Sequence, residues 1–269
     1  MASNQGNSNL GNKKKYLISK KIDQIFIDLH EVYKFVLLFF KETFRGPFEF
    51  KETIRQCYEV GYRSLPLITL TGFITGLVFT KQSRPSLEDF GAASWLPNLI
   101  SIAIIRALAP LVTALIAAGK VGSNIGAELG SMRVTEQIDA MEVSATNPFK
   151  FLVVTRVLAT TFMIPVLAMY TGFVGMLGSF LNVNENEQTS YTTFFEGAFS
   201  SISFLDIFSS LIKAILFGFT IGIVGCYKGY NSAKGTEGVG RAANSAVVVS
   251  MFLIFIEETI VVQIVAVLR

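Results

Sequence analysis

Three ionisable residues stand where ionisable residues are costly. Arg106 lies inside the apolar run 96–118 (LPNLISIAIIRALAPLVTALIAA), and Glu257 and Glu258 lie inside the apolar run 245–268 near the C-terminus. Charge at that depth in hydrocarbon is paired, functional, or both. The two runs place them at similar depth, so an Arg106–Glu257 or Arg106–Glu258 interaction is expected. Consecutive helix positions point about 100° apart, so at most one glutamate faces Arg106 directly. Such a cluster either lines a polar route through the membrane or fixes the contact between two spans.

Other chemistries lack their parts. The one histidine, His30, falls in an amphipathic stretch, which leaves no Ser-His-Asp or Cys-His set and no His-based metal cluster. Cys57 and Cys226 are too far apart to suggest a zinc spacing or a disulfide framework. Gly119-Lys120 looks like the end of a phosphate loop, but Val121 follows the lysine and Ala114 stands where the first glycine belongs. Gly235, Gly238 and Gly240 follow no strand, so they form no dinucleotide fingerprint. No metal and no cofactor is expected in this chain, and ATP with its magnesium would have to bind elsewhere.

The elements that position these residues are set by composition. The 269 residues are 51% hydrophobic and only 16% charged, with a mean hydropathy of +0.50. An average soluble domain is about 25% charged. A formal charge of +3 and a pI near 8.8 are too mild to indicate nucleic acid. Five apolar runs, at about 65–80, 96–118, 152–181, 202–226 and 245–268, are read as spans of about 20 residues, the first being short and closed by Lys81. Backbone groups find no water in hydrocarbon, so each run is predicted to be a helix. Before them, Ile18, Ile22, Phe26, Leu29, Tyr33, Leu37 and Phe40 recur at helical spacing among lysines and acids. That stretch, 17–43, reads as a helix lying in the headgroup plane or as one packed on the transmembrane body.

Lysine and arginine set the orientation. Residues 1–63 carry eleven of them, and Lys120, Arg133, Lys150, Arg156, Lys228, Lys234 and Arg241 lie in or beside the loops that share their side. The opposite loops carry Lys81 and Arg84 in one and none in 182–201. The N-terminus is therefore expected in the cytoplasm and the C-terminus outside. The connection 119–149 then falls on the cytoplasmic side, glycine-rich at first and helical in pattern later, with Val134, Ile138 and Met141 on one side. A short amphipathic helix there suits docking into a partner's groove; packing on its own helix ends is the alternative.

The run GSNIGAELGSMRVTEQIDAMEVSATNPFKFLVVTRVLA resembles the hallmark of the MlaE/YrbE family of ABC permeases. The likeness continues at Arg106–Pro110, Ala117–Lys120, Tyr227–Tyr230 and Gly238–Ala242, and covers roughly 50–269. It implies an all-α membrane protein: an N-terminal interfacial amphipathic helix, five transmembrane helices and a cytoplasmic coupling helix. The corresponding division is a disordered polar tail over 1–16, an interfacial helical region over 17–63, and a permease domain over 64–269 with its coupling region at 119–149. The implied function is that of a permease subunit moving phospholipid between inner and outer membranes and supporting outer-membrane lipid asymmetry. The implied partners are a second permease copy, a cytoplasmic ATPase pair and a periplasmic MCE-domain oligomer, with the chain seated in the inner membrane of a bacterium. By resemblance the helix from Glu128 to Glu142 couples to the ATPase, through Glu128, Met132, Arg133, Glu136, Gln137, Asp139, Met141 and Glu142. By resemblance too, Phe79, Gln82, Leu87, Phe90, Arg106 and Leu108 form a lipid pocket. Many relatives carry a glutamate directly after the arginine of the second span, where this chain has Ala107. A secondary transporter or a membrane scaffold acting without an ATPase is the competing reading, but five spans do not divide into two equal inverted halves.

Overall fold

A computed structural model describes residues 26–27, 29–46, 48–187 and 190–268. The predicted polar tail and the first turns of the amphipathic helix lie outside them. Two units separate, 1–47 and 48–269. In the first, a helix over 29–43 (α1) leaves Leu29, Tyr33, Leu37 and Phe40 exposed at spacings of three and four, so they lie along one stripe.

The second unit is helical, with no strand among the described residues. It runs α2 (Phe50–Val60), α3 (Leu65–Asp89), α4 (Leu96–Ala103), α5 (Ala109–Ala117), α6 (Ser123–Val134), α7 (Gln137–Val143), α8 (Thr155–Glu187), α9 (Tyr191–Ser200), α10 (Phe204–Tyr230) and α11 (Thr236–Leu268). Five continuous stretches are long and apolar enough to cross a membrane: Phe50–Asp89, Leu96–Val134, Phe149–Glu185, Phe204–Tyr230 and Thr236–Val267. Each coincides with one of the five apolar runs over nearly its whole length. α4, α5 and α6 form one span joined by two π turns, Ile104–Leu108 and Ala118–Gly122, and a third π turn, Phe149–Val154, leads into α8.

Span two continues well past its apolar run, which corrects the expected glycine-rich loop after Gly119. Its glycines are contact points. A side chain at Gly126 would meet the Ala242 carbonyl at 3.1 Å, and one at Gly229 of α10 would meet the Gly126 carbonyl at 2.9 Å. Helices in a bilayer lack a hydrophobic force between them and rely on close approach of this kind. α8 is the central post, packed by α2, α3, α5 and α10. At Gly76 and Gly178 the backbones of α3 and α8 leave no room for a Cβ, which would sit 1.9 Å and 2.4 Å from carbonyl oxygens of the facing helix. Hydroxyls cross the same seams: Thr113 with Thr171 at 2.6 Å, Thr69 with Tyr170 at 2.9 Å, and Ser179 donating to the Gly76 carbonyl at 3.1 Å.

α2 is inverted relative to a soluble helix. Phe50, Ile54 and Tyr58 are exposed along one stripe, whereas Glu52 and Gln56 are buried. Gln56 Nε2 and Arg55 Nη2 each donate to Glu52 Oε1 at 2.8 Å. The pattern makes sense if the medium outside is lipid and the polar partners are inside.

Candidate functional site

The intramembrane charges meet, but not in the expected pairs. The π turn at Ile104–Leu108 widens span two at Arg106, and the Arg106 carbonyl accepts from Lys213 Nζ at 2.6 Å. Lys213 also donates to Glu258 Oε1 at 2.8 Å, with only 2% of its side chain exposed. Arg106 Nε turns instead toward Asp206 Oδ1, 3.9 Å away. Thr220 of α10 donates to Glu257 Oε1. The expected Arg106–glutamate pair is therefore replaced by a three-span cluster in which α10 supplies the intermediary. The reason is rotational: Asp206 and Lys213 lie seven residues apart, nearly two full turns, so both project from one face of α10 between the other two spans.

Asp206 is held by its own helix start. Its Oδ2 accepts from the backbone amide of Ser203 at 3.1 Å and from the Ser203 hydroxyl at 2.9 Å, a capping box. Lys213 stands about 10 Å further along the axis, seven residues at about 1.5 Å each. One oxygen on each glutamate, Oε2 of Glu257 and of Glu258, is buried with no hydrogen-bond partner among the described residues. Lys213 was visible in the sequence only as a charge near the start of an apolar run.

At the opposite end of α8 from α9, the expected single helix from Glu128 to Glu142 is broken. α6 ends at Val134, and Glu136 adopts a left-handed φ of +57° before α7 begins. Glu128, Met132 and Arg133 thus belong to the extension of span two, and Gln137, Asp139, Met141 and Glu142 to α7. Glu128 is occupied internally: Arg156, 2% exposed, donates from Nη2 to Glu128 Oε1 at 2.8 Å and from Nη1 to the Leu152 carbonyl at 2.9 Å. Ile138 is fully buried and anchors α7, so it is unavailable for docking, while Val143 is 90% exposed. Arg133 bridges the break to Asp139 at 2.7 Å, and Lys234 from the α10–α11 turn comes within 3.9 Å of Glu136.

The six expected pocket residues fall in different surroundings. Phe79, Leu87 and Leu108 pack on an apolar cluster of Leu96, Ile100, Ile104, Met176, Val183 and Phe194. Gln82 and Phe90 are exposed, and Arg106 belongs to the charged cluster. An apolar cleft lies instead between α8, α9 and α10 and contains none of the six. A polar groove between α2 and α6 carries Arg55, Glu59, Arg63, Lys120 and Glu128. Lys120 bonds the Arg63 carbonyl there and sits in a π turn inside a helix, far from phosphate-loop geometry. No group of His, Cys, Asp and Glu suited to a metal is found among the described residues.

The sequence profile of the family described as Permease MlaE matches residues 53–264, a range that takes in all five spans, the π turns and α7. The chain belongs to the MlaE permease family. A probable ABC transporter permease protein of Rickettsia prowazekii is 35% identical, the alignment covering 88% of this chain and 91% of the relative. A probable ABC transporter permease of a Synechocystis strain is 36% identical over 81% and 83%. The chloroplastic Arabidopsis thaliana protein named TRIGALACTOSYLDIACYLGLYCEROL 1 is 32% identical over 80% of this chain and 61% of its own. The MlaE-family permease is thus an ABC transporter membrane subunit, a class that works with an ATPase component and is not itself the catalytic chain.

Proposed function

We propose that this permease moves phospholipid between the inner and outer membranes of a double-membraned bacterium, driven by a separate ATPase pair, and so supports outer-membrane lipid asymmetry. The observation that carries the ATPase part is α7: a separate short helix held by buried Ile138, with Val143 facing outward at the end of the bundle. That geometry suits insertion into a partner's groove. In this reading Glu136, Gln137, Asp139, Met141, Glu142 and Val143 form the contact, and ATP and magnesium are held on the partner. The lipid part draws on the family and on the Arabidopsis relative, whose name is that of a glycerolipid.

The N-terminus is cytoplasmic and the C-terminus periplasmic in this reading, with α1 lying in the headgroup plane and an MCE-domain oligomer on the α9 side. Two copies join along α11, where Val248, Phe252, Phe255, Ile260 and Ile264 are exposed. A second copy there would shield Glu257 and Glu258, which otherwise stand close to lipid.

Affinity purification of the full chain from its native membrane, followed by ATPase assay and mass analysis of extracted lipid, tests the proposal. It expects a co-purifying ATPase and enriched phospholipid. Val143→Asp should cut ATP-driven lipid transfer about tenfold or more by placing a charge in an apolar contact, while the permease still folds. Purification of an ATPase-free chain with ATP-independent flux would instead support a secondary transporter.

A further inference from the structure

The apolar cleft beside the π turn has no part in that reading. It sinks between α8 and α10 to a floor formed by Ile105 and Ala109 of span two, and Phe195 and Phe199 of α9 roof it. Its volume is about 250 Å3, and Ser210 is the one polar side chain in its lining. Its mouth is framed by Met169, Phe173, Phe199 and Ile207, all well exposed on or beside helices that cross the membrane.

Small residues open the cleft. At Gly178 of α8 and Gly218 of α10 the facing backbone leaves no room for a Cβ, which would sit 2.4 Å and 2.5 Å from carbonyl oxygens. Gly172 differs: a Cβ there would meet only Ala109 Cβ at 3.6 Å and Ile105 Cγ1 at 3.9 Å, ordinary contact distances. Ala168 and Ala214 line the same space. Four small residues, Gly172, Ala109, Ala168 and Ala214, therefore meet at a recess instead of a tight seam.

We infer that this cleft binds one acyl chain of a membrane lipid, entering sideways from the leaflet on the α9 side, at a site separate from the charged cluster. The chemistry selects the occupant. Water is not retained in a cavity this apolar. A headgroup would find a single hydroxyl as partner, too little to repay its desolvation. A helix is about 10 Å across and does not enter a recess of this size. A hydrocarbon chain fits, and the medium around the mouth is made of such chains. Ile105 precedes Arg106 on the same π turn, so a seated chain touches the turn that presents the Arg106 carbonyl to Lys213. The inference requires only that the five helices lie in a bilayer; it does not depend on transport, its direction or the ATPase.

The full-length permease in nanodiscs of phosphatidylethanolamine and phosphatidylglycerol, doped with a phosphatidylethanolamine bearing a diazirine at its acyl terminus, provides the test. Photolabelling followed by peptide mass analysis should place adducts on Ile105, Met176 and Leu211, above the level at Leu70 on the exposed face of α3. Ala168→Trp fills the recess and should lower labelling of Ile105 and Met176 about tenfold, because an indole leaves no volume for the chain. Leu70 labelling should stay constant. Gly172→Ala is the milder partner, accommodated at the distances above, and should lower the same adducts by a smaller factor with unchanged thermal unfolding. The idea is overturned if wild-type adducts in the cleft do not exceed those at Leu70, meaning surface lipid only. It is also overturned if both substitutions leave cleft labelling unchanged, or if a Met169→Cys variant crosslinks to a protein neighbour across the mouth. Loss of lipid transfer with cleft labelling intact would count against the transport proposal and leave this one standing.

Discussion

Replacing Lys213 with methionine keeps the length of the side chain and removes its charge. Glu258 and the Arg106 carbonyl then lose their shared donor in a buried site. Breaking one partner of a buried pair costs about 3–5 kcal/mol, most of it from the charge left behind. Lys213→Met should therefore lower the unfolding midpoint in detergent sharply. Adding Glu258→Gln to the same chain should recover much of the loss, since a neutral amide leaves no stranded charge. If the double variant is no better than the single, the ion pair is not what holds spans four and five together there. Arg156 makes a contrasting case. It is almost wholly buried while its partner Glu128 is half exposed, so Glu128→Gln leaves a buried cation near water and should cost less than Arg156→Met.

The helices themselves are tuned by where a side chain has room. Gly76→Ala would put a methyl 1.9 Å from the Gly175 carbonyl oxygen, and only movement of α3 away from α8 relieves it. Overpacking of this kind costs about 1–3 kcal/mol or more, which a thermal-shift series would register. Gly240 lies in α11 with nothing within 4 Å of its would-be Cβ. Gly240→Ala should stabilise by up to about 1 kcal/mol, the helix-propensity difference. The break between α6 and α7 gives a third case. Glu136 holds a left-handed conformation that costs an L-residue about 1–2 kcal/mol, and glycine adopts it freely. Glu136→Gly should stabilise the turn even though the exposed contact to Lys234 is lost, because exposed ion pairs contribute about 0–1 kcal/mol. Unfolding curves of the two chains decide the sign.

For the molecule as a whole, the distribution of lysine and arginine predicts which end meets the cytoplasm. A cysteine at Glu136 should react with a membrane-impermeant maleimide only from the cytoplasmic face, and one at Ser201 only from the other. The reverse pattern would remove α7 from the side where nucleotide is available. The inverted amphipathicity of α2 and the exposed stripe on α11 agree with a bundle whose solvent is lipid along most of its height.

The five spans were legible in the sequence because the bilayer sets a minimum length for an apolar run, and a run of that length has one way to satisfy its backbone. The family was legible because the 122–159 segment is distinctive. Its glycine-rich first part proved helical where a loop was expected, since glycine composition does not say whether a glycine bends a chain or lets a neighbour approach; Gly126 does the second. The partners of Arg106 were not legible. Periodicity gives the face of one helix, but which face meets which depends on each helix's rotation about its axis, and the π turn at Ile104–Leu108 resets that rotation at the residue in question. Only packing decided that Lys213 stands between Arg106 and Glu258 and that small residues from three helices leave a recess beneath α9.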